Sequence, residues 1–201
     1  RRHANPGSAG AEVYSLSFEA DSGSAEWEAG DIAQIVGGQS WVDFRAGDRR
    51  LIQREFSIAN TADHKRLELL VRCVRSADGK AGIASGFLAA SLRVGEAIPL
   101  RVRRNPSFHG PKDERPMLMI GNGTGIAGLR AHLYRRVQLG QRRNWLIFGE
   151  RNAACDSLYA DELGRWCAMG DLERLDLVFS RDQPARRVRG GVGHSQRRER
   201  F

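Results

Sequence analysis

The chain has 201 residues and a formal charge of +8, from 32 Lys and Arg against 24 Asp and Glu. Its 41% hydrophobic and 28% charged residues exclude wholesale disorder, and the length allows one large or two small domains with real cores. No apolar run exceeds four residues, against the roughly 20 that a spanning helix needs, which excludes a helical membrane span. A basic chain suggests an anionic partner such as nucleic acid. The charge is unevenly placed, however: residues 184–201 hold six Arg and one Glu, while the preceding 183 residues carry 26 basic and 23 acidic groups. The excess therefore belongs to the terminus, and no nucleic-acid partner is expected. Cys73, Cys155 and Cys167 have no metal-ligand spacing, so no metal site and no disulfide framework are expected, and the thiols read as buried or half-buried in a reducing compartment.

Residues 1–12 are small and turn-rich and read as a linker or strap, and the opening at Arg1 reads as part of a longer polypeptide. Between residues 13 and 110 the apolar periods are short. Val13–Phe18, Ile32–Val36, Phe56–Ala59, Leu67–Val74 and Ile98–Val102 predict strands, separated by turn signals at Asp21-Ser-Gly, Gly37-Gly38, Ala46–Asp48, Asp78-Gly79 and Gly95-Glu96. Strands at this spacing predict an antiparallel barrel or sandwich. Ser85–Leu92 predicts one short helix opened by a serine cap.

Asn105–Pro116 carries three prolines and marks a domain boundary. Beyond it, Met117–Ile120 is a continuous apolar strand, as in a parallel sheet covered on both faces. A glycine loop follows, then a helix over Ile126–Leu139, a strand at Trp145–Phe148, a helix over Ser157–Met169 and a strand at Leu175–Phe179. This βαβαβ order over residues 116–183 predicts half of a Rossmann-like sheet, so the fold class is α/β: an antiparallel β-barrel, then a partial parallel-sheet domain.

The loop Gly121-Asn-Gly123-Thr124-Gly125-Ile-Ala-Gly128 sits between strand and helix, the context a dinucleotide fingerprint needs. Its amides can approach a pyrophosphate at the helix N-terminus. No Lys-Ser/Thr follows, which excludes a Walker loop. Glu150 and Arg151 end the second strand, where an acidic residue would meet an adenosine ribose, and Ser180-Arg181 at the third strand end suits a 2′-phosphate. Gly82, Ile83, Ala84 and Ser85 open the short helix and offer a second anion site. Arg54-Glu-Phe56-Ser57 puts a cation, an aromatic ring and a hydroxyl on one strand. His132 falls mid-helix and reads as packing, and the remaining histidines sit in polar stretches.

Together these motifs resemble the ferredoxin–NADP reductase superfamily, in its diflavin-reductase branch of the sulfite reductase flavoprotein type. The resemblance rests on Arg54–Ala59, Gly82–Ser85, Gly121–Gly128, Phe148–Arg151 with Asp156–Tyr159, and Ser180–Gln183, in that order. It implies an FAD-binding barrel over 13–110 and an NADPH-binding domain over 116–183. It implies that Arg54 contacts the FAD phosphates, Phe56 stacks on the flavin, and Ser57 hydrogen-bonds near its N5 as the catalytic hydroxyl. Val71 and Arg72 would lie on the strand lining the flavin, and Gly82–Ser85 would hold the FAD pyrophosphate. Gly121, Gly123, Thr124 and Gly125 would cradle NADPH, and Ser180 and Arg181 would read its 2′-phosphate. The implied activity is NADPH-dependent flavin oxidoreduction in the cytoplasm, with electrons passed to an FMN domain or another acceptor. A stand-alone ferredoxin or flavodoxin reductase and a non-catalytic flavin-binding remnant are the alternatives.

Three departures accompany the resemblance. Phe56 stands where the family has tyrosine, and only 22 residues separate Asp31 from Arg54, too few for a large connecting insertion. Residues 184–201 lack the family's continuation and are expected to form a truncated or altered basic tail.

Overall fold

The computed structural model describes residues 1–20, 26–36, 42–43, 50–51, 53–62 and 66–183. The predicted basic tail and the turns at Asp21-Ser-Gly, Gly37-Gly38 and Ala46–Asp48 lie outside the described residues.

Short runs with β-branched, aromatic and leucine side chains form the strands of the first half: β1 (Arg2–His3), β2 (Val13–Glu19), β3 (Ile32–Val36), β4 (Val42–Asp43), β5 (Arg50–Leu51), β6 (Gln53–Ser57), β7 (Arg66–Arg72) and β8 (Leu100–Arg103). All pairings are antiparallel, in sheets ordered β1-β2-β7 and β6-β3-β8 with β4-β5 as a separate pair. Their inward side chains meet in one core that includes Leu16, Trp27, Ile35, Ile58, Leu69 and Val71. The opening segment is more than a strap. β1 pairs with β2, and buried Asn5 accepts from the Val13 amide at 2.7 Å while donating to Asp156 at 3.3 Å.

The short helix differs from the sequence expectation. Helix α1 (Ile83–Gly86) begins two residues earlier, with Gly82 as N-cap and no side-chain cap, and runs into a π-helical turn at Phe87–Ser91. Ser85 cannot cap it because its Oγ accepts the Val74 amide at 3.0 Å.

The second half is a parallel sheet ordered β11-β10-β9, from β9 (Met117–Asn122), β10 (Asn144–Glu150) and β11 (Arg174–Phe179). A 3-10 turn (Gly123–Gly125) leads from β9 into α2 (Ile126–Gln138), which carries Leu129 and Leu133 into the core. The helix predicted over Ser157–Met169 is α4 (Ala160–Met169), starting three residues later, and a separate short helix α3 (Ala153–Asp156) precedes it. Tyr159 at φ 59° separates them. A left-handed non-glycine residue costs about 1–2 kcal/mol. The Tyr159 ring offsets this by packing under the Arg130 guanidinium, 4.6 Å from its centroid.

The expectation that β9 is covered on both faces is not met among the described residues. Met119 is buried, but Leu118 and Ile120 on the opposite face are 51% and 66% exposed. Two successive right-handed crossovers running the same way across a sheet put both helices on one side, which leaves the other side uncovered. Farther along that side, Trp145 donates to Asp176 at 2.7 Å and lies under the Arg174 guanidinium, 4.0 Å from its ring centroid. The proline-rich boundary is not a packing boundary either: Val13, Ala59 and Leu70 of the first half share a core with Met119, Ile126, Leu146 and Phe148.

Of the thiols, Cys73 is buried, Cys155 partly buried and Cys167 exposed. Among the described residues no helix is long and apolar enough to cross a membrane.

Candidate dinucleotide site

Parallel strands end together, and the crevice outside their carboxyl ends is where α/β sheets take ligands. Here that crevice is a cleft of about 550 Å³ lined by Asn122–Gly125, Gly149–Arg151, Val178 and Ser180, with Arg72 reaching in from the first half. The ends of β10 and β11 are tied across the cleft floor by the Ser180 amide donating to the Glu150 carbonyl at 2.9 Å, and Arg181 to Arg151 at 2.8 Å.

The loop glycines have separate reasons. A Cβ on Gly121 would lie 2.7 Å from Leu129 Cδ1, so its absence lets α2 close on β9. Gly123 has φ +54°, and a Cβ there would lie 2.5 Å from Nη2 of Arg72. Gly128 faces Phe108 and Ser57, with Ser57 Cβ 3.5 Å from its missing Cβ. Gly125 meets no protein atom within 4 Å. Gly125 lines the cleft beside the α2 N-terminus, and the open space there leaves room for a bound phosphate.

Glu150 occupies the position expected for a ribose contact, but its carboxylate is engaged. Oε1 accepts from Arg72 at 2.7 Å and Oε2 from the Arg151 amide at 3.0 Å, and the side chain is 6% exposed. Asp182, beyond β11, accepts from the Ala153 amide at 2.7 Å and Asn152 at 2.8 Å, which holds its carboxyl below the usual range and anchors α3 at the cleft rim.

Seven predicted residues therefore converge: Arg72, Gly123, Thr124, Gly125, Glu150, Arg151 and Ser180 all line one cleft. Gly121 lies within β9 and Arg181 is exposed at the rim. Arg72 apart, the predicted flavin residues stand outside this cleft. Arg54 and Ser57 are exposed on β6, Phe56 is half-buried against the first core, and Val71 is fully buried, so only its backbone can approach a ligand. Gly82, Ile83, Ala84 and Ser85 sit at the start of α1, with Ile83 exposed.

Sequence reasoning missed Arg130. It is 6% exposed on α2 and donates to Ala59 O at 2.8 Å, Glu68 at 2.7 Å and Glu162 at 3.0 Å. Burial works against its charge, but the bonds to and charges of Glu162, with Glu68, hold the guanidinium above its ordinary value. Nothing in an arginine on a helix pattern signals this. His109 was missed too: its Nε2 lies 2.7 Å from buried Asp31, whose pKa is lowered, the cost of burial being overcome by bonds from His109, Glu28 and Asn105.

The family described as "Oxidoreductase NAD-binding domain" matches residues 119–199. The chain is 38% identical over 142 residues to the sulfite reductase [NADPH] flavoprotein alpha-component of Vibrio cholerae, and 35% identical over 141 to that of Bacillus subtilis. Each alignment covers 67% of this chain and 23% of the relative, so the chain spans about a quarter of these curated relatives. In structure it superposes on the flavohem-like FAD/NAD-binding domain of nitric oxide dioxygenase from Vibrio cholerae (TM-score 0.72, 16% identity, 92% of this chain and 75% of that one). It also superposes on ferredoxin-NADP+ reductase from Plasmodium falciparum with 2'P-AMP (TM-score 0.73, 19% identity, 93% and 72%). These superpositions show that the chain has the fold of the ferredoxin-reductase-type FAD/NAD-binding proteins. Over two thirds of its length the sequence is similar to the sulfite reductase flavoproteins. The shared fold accounts for antiparallel sheets followed by a parallel one, and the NAD-binding match runs to residue 199, into the segment expected to depart from it.

Proposed function

We propose that the chain is the FAD- and NADPH-binding module of a flavoprotein oxidoreductase that passes electrons on to an FMN domain or another acceptor, as in sulfite reductase. The observation that carries this reading is the cleft itself: a glycine turn at a helix N-terminus, open space at Gly125, and Arg72, Arg151 and Ser180 around it. Residues 13–110 would form the flavin domain and 116–183 the nucleotide domain, in a cytoplasmic protein.

Bound NADPH and FAD would supply the redox chemistry, a hydride passing between them. The chain's own work is alignment and electrostatics. The Gly123–Gly125 amides, at the positive end of α2, would hold phosphate. Ser180 and Arg181 would read the 2′-phosphate and so select NADPH over NADH. On β6, Arg54 would neutralise FAD phosphates and Phe56 would offer a ring face, while α1 from Gly82 to Ser85 would take the pyrophosphate. Ser57 is the residue in a position to act near the reacting atoms. It is exposed, and its Oγ lies 3.6 Å from the Cβ position of Gly128, so a hydroxyl of the flavin strand stands against the nucleotide helix.

The purified chain should carry or take up FAD, with flavin absorbance bleached anaerobically faster by NADPH than by NADH. A colourless protein that cannot be reconstituted with FAD would sink the reading.

A further inference from the structure

We propose that the opening strap, residues 5–11, is a positioning element of the nucleotide cleft: Gly10 is the bare seat on which the Arg151 side chain lies. A side chain at position 10 would then weaken nucleotide binding through Arg151. This deepens the functional reading above and rests on it.

Arg151 lines the cleft, and among the described residues its guanidinium has no hydrogen bond or ion pair. A long side chain left free in this way loses rotamer freedom when an anion takes it, and prior restraint lowers that loss. The restraint comes from the other end of the chain. A Cβ on Gly10 would lie 3.2 Å from Nη1 of Arg151 and 3.3 Å from its Cδ, so stem and head both run along bare strap backbone. The Arg151 backbone is fixed separately, its amide by Glu150 Oε2 at 3.0 Å and its carbonyl by the Arg181 amide at 2.8 Å. Only the side chain is left for the strap to place.

The strap itself is tied at several points. Asn5 is 4% exposed, and its Nδ2 donates to the Ala11 carbonyl at 3.1 Å and to Asp156 at 3.3 Å, while its Oδ1 accepts from the Val13 amide. Asp156 uses its other oxygen for the Asn152 amide at 3.2 Å, so one carboxylate holds both the strap and the start of α3. Ser8 adds a second tie: its Oγ accepts from the Gly10 amide at 3.0 Å and lies within hydrogen-bonding reach of the Cys155 thiol. Strap and residues 151–156 therefore form one frame, with Gly10 at the contact. Gly10 is not among the glycines with positive φ, so its backbone admits a side chain. What excludes one is the room taken by Arg151 and Ser8.

The test is titration of NADP+ by calorimetry into the purified chain and its variants. Gly10→Val puts branched carbons where Arg151 lies and should weaken binding about tenfold, the value of one charged hydrogen bond. Gly10→Ala should weaken it less, because the arginine tip can give way. Arg151→Gln should also lose about tenfold. In that background Gly10→Val should cost nothing further, because it acts through Arg151. A merely structural role would instead lower the melting temperature and persist in the double variant. Should Gly10→Val fail to fold, Gly10→Ala carries the same cycle and must still weaken binding. Wild-type affinity in Gly10→Val or in Arg151→Gln would overturn the proposal, as would a loss that persists undiminished in the double variant; the functional reading stands in each case. No NADP+ binding by wild type would sink both.

Discussion

Gly123 and Gly125 differ in what a methyl group would meet, and that difference makes them separable probes. Ala at Gly123 must adopt φ near +54° and push against Arg72. Gly123→Ala should cost about 1–2 kcal/mol in urea unfolding as well as weaken nucleotide binding. Gly125→Ala meets no protein atom within 4 Å, so its melting temperature should hold while NADP+ binding falls. Equal binding by Gly125→Ala and wild type would show that the space at Gly125 is not the phosphate seat. The glycine spacing was legible in the sequence because a fingerprint is a local pattern. Arg72 was named there only for the strand expected to line the flavin; its place behind Gly123 was not legible, because the two are 51 positions apart and only the tertiary fold joins them. His132 is buried at 3% exposure against Phe108, and burial holds its pKa below the ordinary 6.5. The unfolded chain would bind that proton first. Stability should therefore be full above pH 6.5 and decline as pH drops below it, and His132→Leu should flatten this slope in unfolding titrations at pH 7.5 and 5.5.

At the scale of elements, α2 has two roles: the turn that leads into it lines the cleft, and one turn into the helix Arg130 bolts it to the first half. Its three partners lie on the loop after β6, on β7 and on α4. Arg130→Met would leave Glu162 and Glu68 facing each other in a largely buried site. Loss of one member of a buried ion cluster typically costs about 3–5 kcal/mol. A melting temperature within a degree or so of wild type would contradict this account. Helix α2 itself was readable because leucines at positions 129 and 133 repeat at helical spacing. The break at Tyr159 was not, since what holds it is the distant Arg130 guanidinium. The serine cap expected at Ser85 failed for a similar reason, because a strand-end amide at Val74 claimed the hydroxyl.

At the scale of the whole molecule, the two halves share a core through Val13, Ala59 and Leu70, and ion pairs at Arg72 and Arg130 cross between them. They should melt as one unit, with calorimetric and van't Hoff enthalpies in agreement. Two separate transitions would mean that the junction is weak. The change from antiparallel to parallel rhythm was visible in the sequence as a change of apolar period. The shared core was not, since periodicity shows which face is buried but not against what.

Among the described residues the parallel sheet is open at one edge as well as on one face. Among the described residues β9 pairs only with β10, and the Met117 amide donates to Arg143 O at 2.9 Å. In a parallel strand successive amides point to opposite sides, so those of Leu118 and Ile120 face the open edge, while Met119 and Gly121 face the ladder. Deuterium uptake should therefore alternate residue by residue along β9, fast at 118 and 120 and slow at 119 and 121. Any strand that docks there, from this polypeptide or another, would erase the alternation, making the labelling pattern a direct report on whether that edge is in use.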